Sequence, residues 1–231
     1  MPSGDEHENI FEKMRNHEAR DIINESLKFR WRHTTLTSDY EDLKHIHEQD
    51  VQHTTERTEQ LELQGYVFEV ERRLHHYLSG LYTLLQQQLT LQNGVGQSFG
   101  DDLQNVKNEY MGKESSRTVL GLRHYVQHEN VLRLHAQSSR LSRSRSLVVL
   151  VDELHREGED RDFDQHFGHI EKPYFDPVEW VIKNRSDVEE FFEDTIDIME
   201  KRNEEELGEL HQLGERADEL HEDLRDELEQ R

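Results

Sequence analysis

Along most of this chain apolar residues recur every three or four positions, and the spacing predicts helices throughout. The clearest run holds Val67, Val70, Leu74, Tyr77, Leu78, Leu81, Leu84 and Leu85, with glutamine and histidine in the gaps, which is the pattern of a core helix. It stops in QNGVGQSFG, residues 92–100, where three glycines and an Asn-Gly step mark a turn. Upstream, Ile10, Met14, Ile22, Ile23, Leu27 and Trp31 lay an irregular stripe over residues 5–33. Ser38 stands three residues ahead of Glu41 and reads as the N-cap of a second, more polar helix running towards residue 64. Beyond the turn a short helix over residues 101–111 is closed by Gly112. Another begins near Glu114 and carries Val119, Leu120, Leu122, Tyr125 and Val126.

The pattern changes after residue 132. RLHAQSSRLSRSRS, residues 133–146, leads into a short β-branched run from Leu147 to Val151, so a small hairpin is expected there. Residues 157–177 are charged, aromatic and proline-bearing and read as a loop. A last helical stretch starts near Val178 or Asp187 and runs to the end, with Val188, Phe191, Phe192, Ile196 and Met199 as its packing stripe. Leu210, Leu213, Ala217, Leu220 and Leu224 then alternate in steps of three and four. That seam spans fewer than three heptads and suits a coiled coil or an amphipathic tail helix docked on its own domain equally well. Prolines occur only at Pro2, Pro173 and Pro177, so nothing stronger than glycine interrupts helix between them. The pattern describes an all-α protein, an antiparallel helical bundle with a small β-hairpin and a long C-terminal helix. Its expected segments are an acidic helical extension (1–64), the bundle (65–200) and an acidic C-terminal helix (201–231).

Charge sharpens this picture. The 231 residues include 51 acids against 28 basic residues, a formal charge of −23, and the acids run through most of the chain. Such a surface repels itself in dilute buffer and is relieved by molar salt, so the sequence reads as that of a halophile, with partial unfolding expected at low salt. Few apolar residues remain, and the core must be thin and spread along helices. The absence of cysteine excludes disulfides, thiol catalysis and thiolate metal sites. The first twenty residues lack the continuous apolar core of a signal peptide, and no segment approaches the roughly 20 apolar residues that span a bilayer. A cytoplasmic protein without membrane association is expected.

The residues with most chemical content lie in ESSRTVLGLRHYVQHENVL, residues 114–132. Arg123 is followed at once by the polar His124 and, after four intervening residues, by His128. This resembles the Arg-x4-His signature of the HEPN superfamily, in which the residue after the arginine is usually polar. RRLHHYLSGLYTLLQQQ, residues 72–88, resembles the core helix that precedes the motif in such proteins, and the resemblance covers about residues 66–200. It implies a helical bundle whose two subunits set their motifs in a shared cleft, so a homodimer, and in many members a metal-independent endoribonuclease. On that basis Arg123, His128 and His124 are the candidate catalytic residues, RNA is the substrate, and neither cofactor nor metal is needed. An imidazole with its ordinary pKa near 6.5 exchanges protons at a ribose 2′-OH or a leaving oxygen. A guanidinium holds the phosphate and stabilises the charge growing on it. The acidic N-terminal extension, the long acidic tail, and His76 where relatives often have Asn depart from the family's pattern.

At about 100° per residue Arg123 and His128 lie roughly 140° apart on a helix, whereas His124 and His128 share a face, so one helix converges the pair poorly and a two-fold partner helps. Residues 130–151 contain no acid yet hold Arg133, Arg140, Arg143 and Arg145, an island that either tracks an RNA backbone or pairs with acidic helices. His124 and His128 also have the spacing of a helical metal pair, but Tyr125 stands where a zinc protease carries Glu. His166 and His169, near Asp162 and Asp164, have ligand chemistry in a segment read as loop, and no metal is expected. A phosphate-cradling glycine loop and a nucleophile elbow are both absent. The competing reading is a non-catalytic helical scaffold of the same fold, binding itself or another protein through the leucine seam and the acidic tail; a separate antitoxin is the partner expected of a toxin activity.

Overall fold

The computed structural model describes residues 4–17, 19–53, 60–94, 97–128, 132–138, 145–157 and 160–229. Among these, two long helices form an antiparallel hairpin, α1 excepted: α1 (Gly4–Arg15) precedes α2 (Ala19–His53) and α3 (Gln60–Gly94). Then follow α4 (Gln97–Gly112), α5 (Glu114–His128), β1 (His135–Ser138), β2 (Arg145–Leu150), α6 (Val151–Glu157) and α7 (Asp160–Phe167). The chain ends with β3 (Tyr174–Phe175), α8 (Pro177–Arg202) and α9 (Glu204–Glu229). The three strands form a small sheet in the order β1-β2-β3, antiparallel throughout, with His135 opposite Val148 and Val149 opposite Phe175. This is the expected helical bundle with its hairpin and long C-terminal helix.

One apolar core joins α2, α3, α4, α5 and α8. Phe29, Leu36, Tyr40 and Leu43 of α2 meet Leu74, Tyr77, Leu81 and Leu84 of α3, while Val181, Val188 and Phe191 of α8 close the far side. Phe29 stands edge-on to Phe191 at 6.2 Å and stacks on Phe192 at 5.5 Å. Each such buried side chain contributes roughly 1.5–3 kcal/mol. Helix α2 shares this core with α3 and α8, and residues 54–59, between α2 and α3, lie outside the described ones.

Several local expectations need correction. Ser38 is not an N-cap, because α2 runs unbroken through it. The hydroxyls of Thr34, Thr35 and Thr37 donate to the carbonyls of Arg30, Trp31 and His33 at 3.0, 3.0 and 2.9 Å, so the Thr-rich run satisfies itself within the helix. Conversely, the helix expected over 5–33 breaks after Arg15. Residues 157–177 are not all loop: α7 and β3 lie there, with Phe163 and Phe167 one turn apart at 5.5 Å on the buried side of α7. The C-terminal stretch is two helices. Asp176 caps α8, its Oδ1 accepting from the Val178 and Glu179 amides at 2.8 and 3.3 Å, with Pro177 in the first turn. Asn203 ends α8, its Nδ2 donating to the Met199 carbonyl at 2.6 Å, and α9 follows at once. Then α9 packs against α1, burying Ala217 against Ile10 with Met14 beside them. Its seam is therefore used within the chain at Ala217; the side chains of Leu220 and Leu224 lie outside the described residues.

Candidate functional site

Helix α5 is positioned by a buried polar network as well as by its leucines. The Tyr110 hydroxyl of α4 donates to Asn184 Oδ1 of α8 at 3.1 Å, and Asn184 Nδ2 donates to Ser116 Oγ of α5 at 2.9 Å. All three side chains are buried, so each bond replaces water that the core excludes, and the three helices are locked in register. Desolvation pushes the Tyr110 hydroxyl well above its ordinary pKa, which keeps it a donor.

From this anchor α5 presents an open strip between α3 and α7. On the α3 side the Arg123 guanidinium lies over the Tyr82 ring, 3.5 Å from its centroid, half-buried, and among the described residues no carboxylate pairs with it. His124 is exposed on the α7 side, its ring near-parallel to that of His166 with centroids 6.5 Å apart. His128 is the last residue of α5, one turn beyond His124. Its side chain lies outside the described residues, so of the three only Arg123 and His124 have placed side chains, on the α3 and α7 flanks of the helix respectively.

Gly121 makes the α7 contact. A Cβ there would stand 2.5 Å from His166 Cβ and 2.7 Å from Phe167 Cζ, so only glycine admits this approach. Seated there, His166 places Nδ1 2.9 Å from the Arg117 carbonyl, which can only accept; Nδ1 therefore carries the proton. One turn earlier Thr118 gives its own proton to the Glu114 carbonyl at 3.0 Å, so His169 Nε2–H donates to Thr118 Oγ1 at 2.8 Å. Among the described residues His169 Nδ1 has no hydrogen-bond partner, and its ring meets Trp180 edge-on at 5.3 Å. Burial lowers the pKa of His169; Glu114 opposes and Arg117 assists. The sequence did not single out Tyr82, and it left His166 in a loop. The signal for His166 was Gly121, a glycine inside a helix two residues ahead of the motif.

The basic island is only partly described. Arg133 is exposed between α5 and β1, and Arg145 opens β2 with its side chain outside the described residues, as are Arg140 and Arg143 entirely. Among the described residues no group of three or more metal-ligating side chains converges, and no helix is long and apolar enough to cross a membrane. A cleft of about 940 Å³ lies elsewhere, between α1 and α9, where Glu12, Lys13, Glu209 and Arg216 balance one another in sign. No family model, no curated protein and no solved structure matches this chain.

Proposed function

We propose that this chain is a metal-independent endoribonuclease of the HEPN type, acting through Arg123 and His128 with His124 beside them in a cleft shared by two subunits. The observation that carries the reading is the placement of Arg123: a guanidinium steadied on the Tyr82 ring at the surface of α5, with an exposed imidazole at the next residue. Stacking on an aromatic face leaves the edge N–H groups of a guanidinium directed outward, as phosphate recognition requires.

In the proposed reaction the ribose 2′-oxygen attacks the adjacent phosphorus, a bond forms from O2′ to phosphorus, and the bond to the 5′-oxygen breaks. His128 takes the 2′-OH proton, a second imidazole protonates the departing 5′-oxygen, and Arg123 balances the charge on the phosphoryl oxygens. The substrate supplies the nucleophile, so a 2′-deoxy strand is inert. Cytoplasmic defence or stress response, with a separate antitoxin as restraint, fits such an activity. The test is cleavage of end-labelled single-stranded RNA in molar KCl. His128→Ala should slow cleavage by about 10²–10⁴-fold, and Arg123→Lys should fail to rescue Arg123→Ala. Equal cleavage by wild type and His128→Ala, or none by either, removes the mechanism.

A further inference from the structure

In a chain of charge −23, acid-free stretches are where a polyanion can come close. Two of them, residues 26–38 of α2 and 72–94 of α3, are set side by side by the fold. Three cross-links fix the register of the α2–α3 hairpin. Gln87 Nε2 donates to Glu25 Oε2 at 2.7 Å, Arg73 Nη1 meets Asp42 Oδ2 at 2.6 Å, and a Cβ on Gly80 would touch Leu36 Cδ1 at 3.3 Å. Residues 28–35 of α2 are therefore level with about residues 80–87 of α3, since antiparallel helices advance equally per residue.

The shared face has a definite chemistry. On α2 it presents Leu27, Lys28, Trp31 and Thr35, with Leu27 57% and Trp31 60% exposed and the Arg32 guanidinium over the Trp31 ring at 4.7 Å. On α3 it presents Ser79, Thr83, Gln86 and Thr90, in steps of four, three and four. The hydroxyls of Thr35, Thr83 and Thr90 already donate to carbonyls four residues back, so towards solvent their oxygens accept. Among the described residues acids bound the face without entering it: Glu25 is engaged by Lys28 and Gln87, Asp39 lies beside Gly80, and Glu200 holds Arg30 on the far flank. Across the width of α3, about 10 Å, the face ends at Tyr82 and the guanidinium of Arg123.

We propose that this α2–α3 face binds single-stranded RNA and leads it to Arg123, a proposal that rests on the ribonuclease reading for its substrate class. Molar salt removes most of the affinity that phosphate contacts provide. What survives is stacking of a base on an exposed indole and hydrogen bonding to hydroxyl and amide groups, and these are what the face offers. An unpaired base is required, because a duplex keeps its π-faces covered.

The experiment is fluorescence anisotropy of a dye-labelled oligouridylate in molar KCl, with the full chain carrying His128→Ala so that the probe survives. Trp31→Ala is expected to weaken binding about tenfold. Thr83→Glu, which brings a carboxylate into the face, should weaken it comparably, and Asn108→Glu on α4, outside the face, should leave it unchanged. Affinity should fall only shallowly as salt rises. Equal binding by all variants overturns the proposal, as does failure of the parent to bind. Loss of a dimer by sedimentation in Trp31→Ala, with RNA binding intact, reassigns the face to a second copy and likewise overturns it. Wild-type cleavage that is indifferent to Trp31 removes this proposal and spares the Arg123–His128 reading. Trp31-dependent binding without any cleavage does the reverse.

Discussion

Gly121 and Gly65 are both helical glycines, yet they stand in opposite situations. At Gly121 a methyl group collides with His166 and Phe167, so Gly121→Ala should lower stability by about 1–3 kcal/mol. At Gly65 nothing lies within 4 Å of the position a Cβ would take. There the alanine should raise stability by up to about 1 kcal/mol through helix propensity. Urea titrations of the two variants check both signs. His33 gives a pH prediction. It stacks on Phe192 at 3.8 Å with Nε2 3.1 Å from Glu189 Oε2; burial lowers its pKa, Glu189 opposes and Arg185 assists. The ring is therefore neutral in the folded chain at a pH where the unfolded chain already takes up a proton. Its contribution is present above the ordinary imidazole value of about 6.5 and is lost as pH falls below it. Stability of the wild type should decline from about pH 7 to about pH 5, and less steeply in His33→Gln; parallel slopes would refute this.

Asp176 belongs to the scale of elements, since it starts α8 and faces the end of α2, with Oδ2 3.9 Å from His47 Nε2. Burial raises its pKa and His47 pulls it back. Asp176→Ala should lose about 1 kcal/mol with the cap, whereas Asp176→Asn keeps an acceptor oxygen and should stay near wild type in thermal unfolding. If both variants lose equally, the cap is not what holds this junction. The same scale shows what the chain's pattern encoded. Helix α3 was legible because its burial repeats every turn over Val70, Leu74, Tyr77, Leu81 and Leu84, and α5 because Val119, Leu122 and Tyr125 do the same. Ser38 misled because a cap and a mid-helix serine look alike in sequence, and the Thr34 to Thr37 hydroxyl bonds that decide between them are a property of the folded helix. Helix α7 was hidden because its eight residues are mostly charged or aromatic, and it packs through His166 and Phe167 on the distant Gly121. At the site, Arg123, His124 and His128 were legible as a spacing. Tyr82, forty-one residues before Arg123, and His166, forty-three residues after it, were not, since no local pattern carries contacts of that range.

For the molecule as a whole, the excess of carboxylates predicts a fold whose stability depends on salt. With a formal charge of −23, self-repulsion extends over about 10 Å at 0.1 M salt and only about 3 Å at 1 M. Transferring the protein from about 1 M to about 0.1 M KCl should lower its melting temperature and its far-ultraviolet circular dichroism, and restoring salt should recover both. A melting temperature indifferent to KCl would refute the salt-adapted reading. The chain's two tryptophans give such experiments independent optical reporters. Trp31 emits from water, so its spectrum shifts towards the blue when a flat ring covers it. Trp180 emits from beside His169, whose imidazole quenches an indole most strongly once protonated. Occupancy of one face and titration at the other can thus be followed by light in a single cuvette, without attaching a dye to the protein.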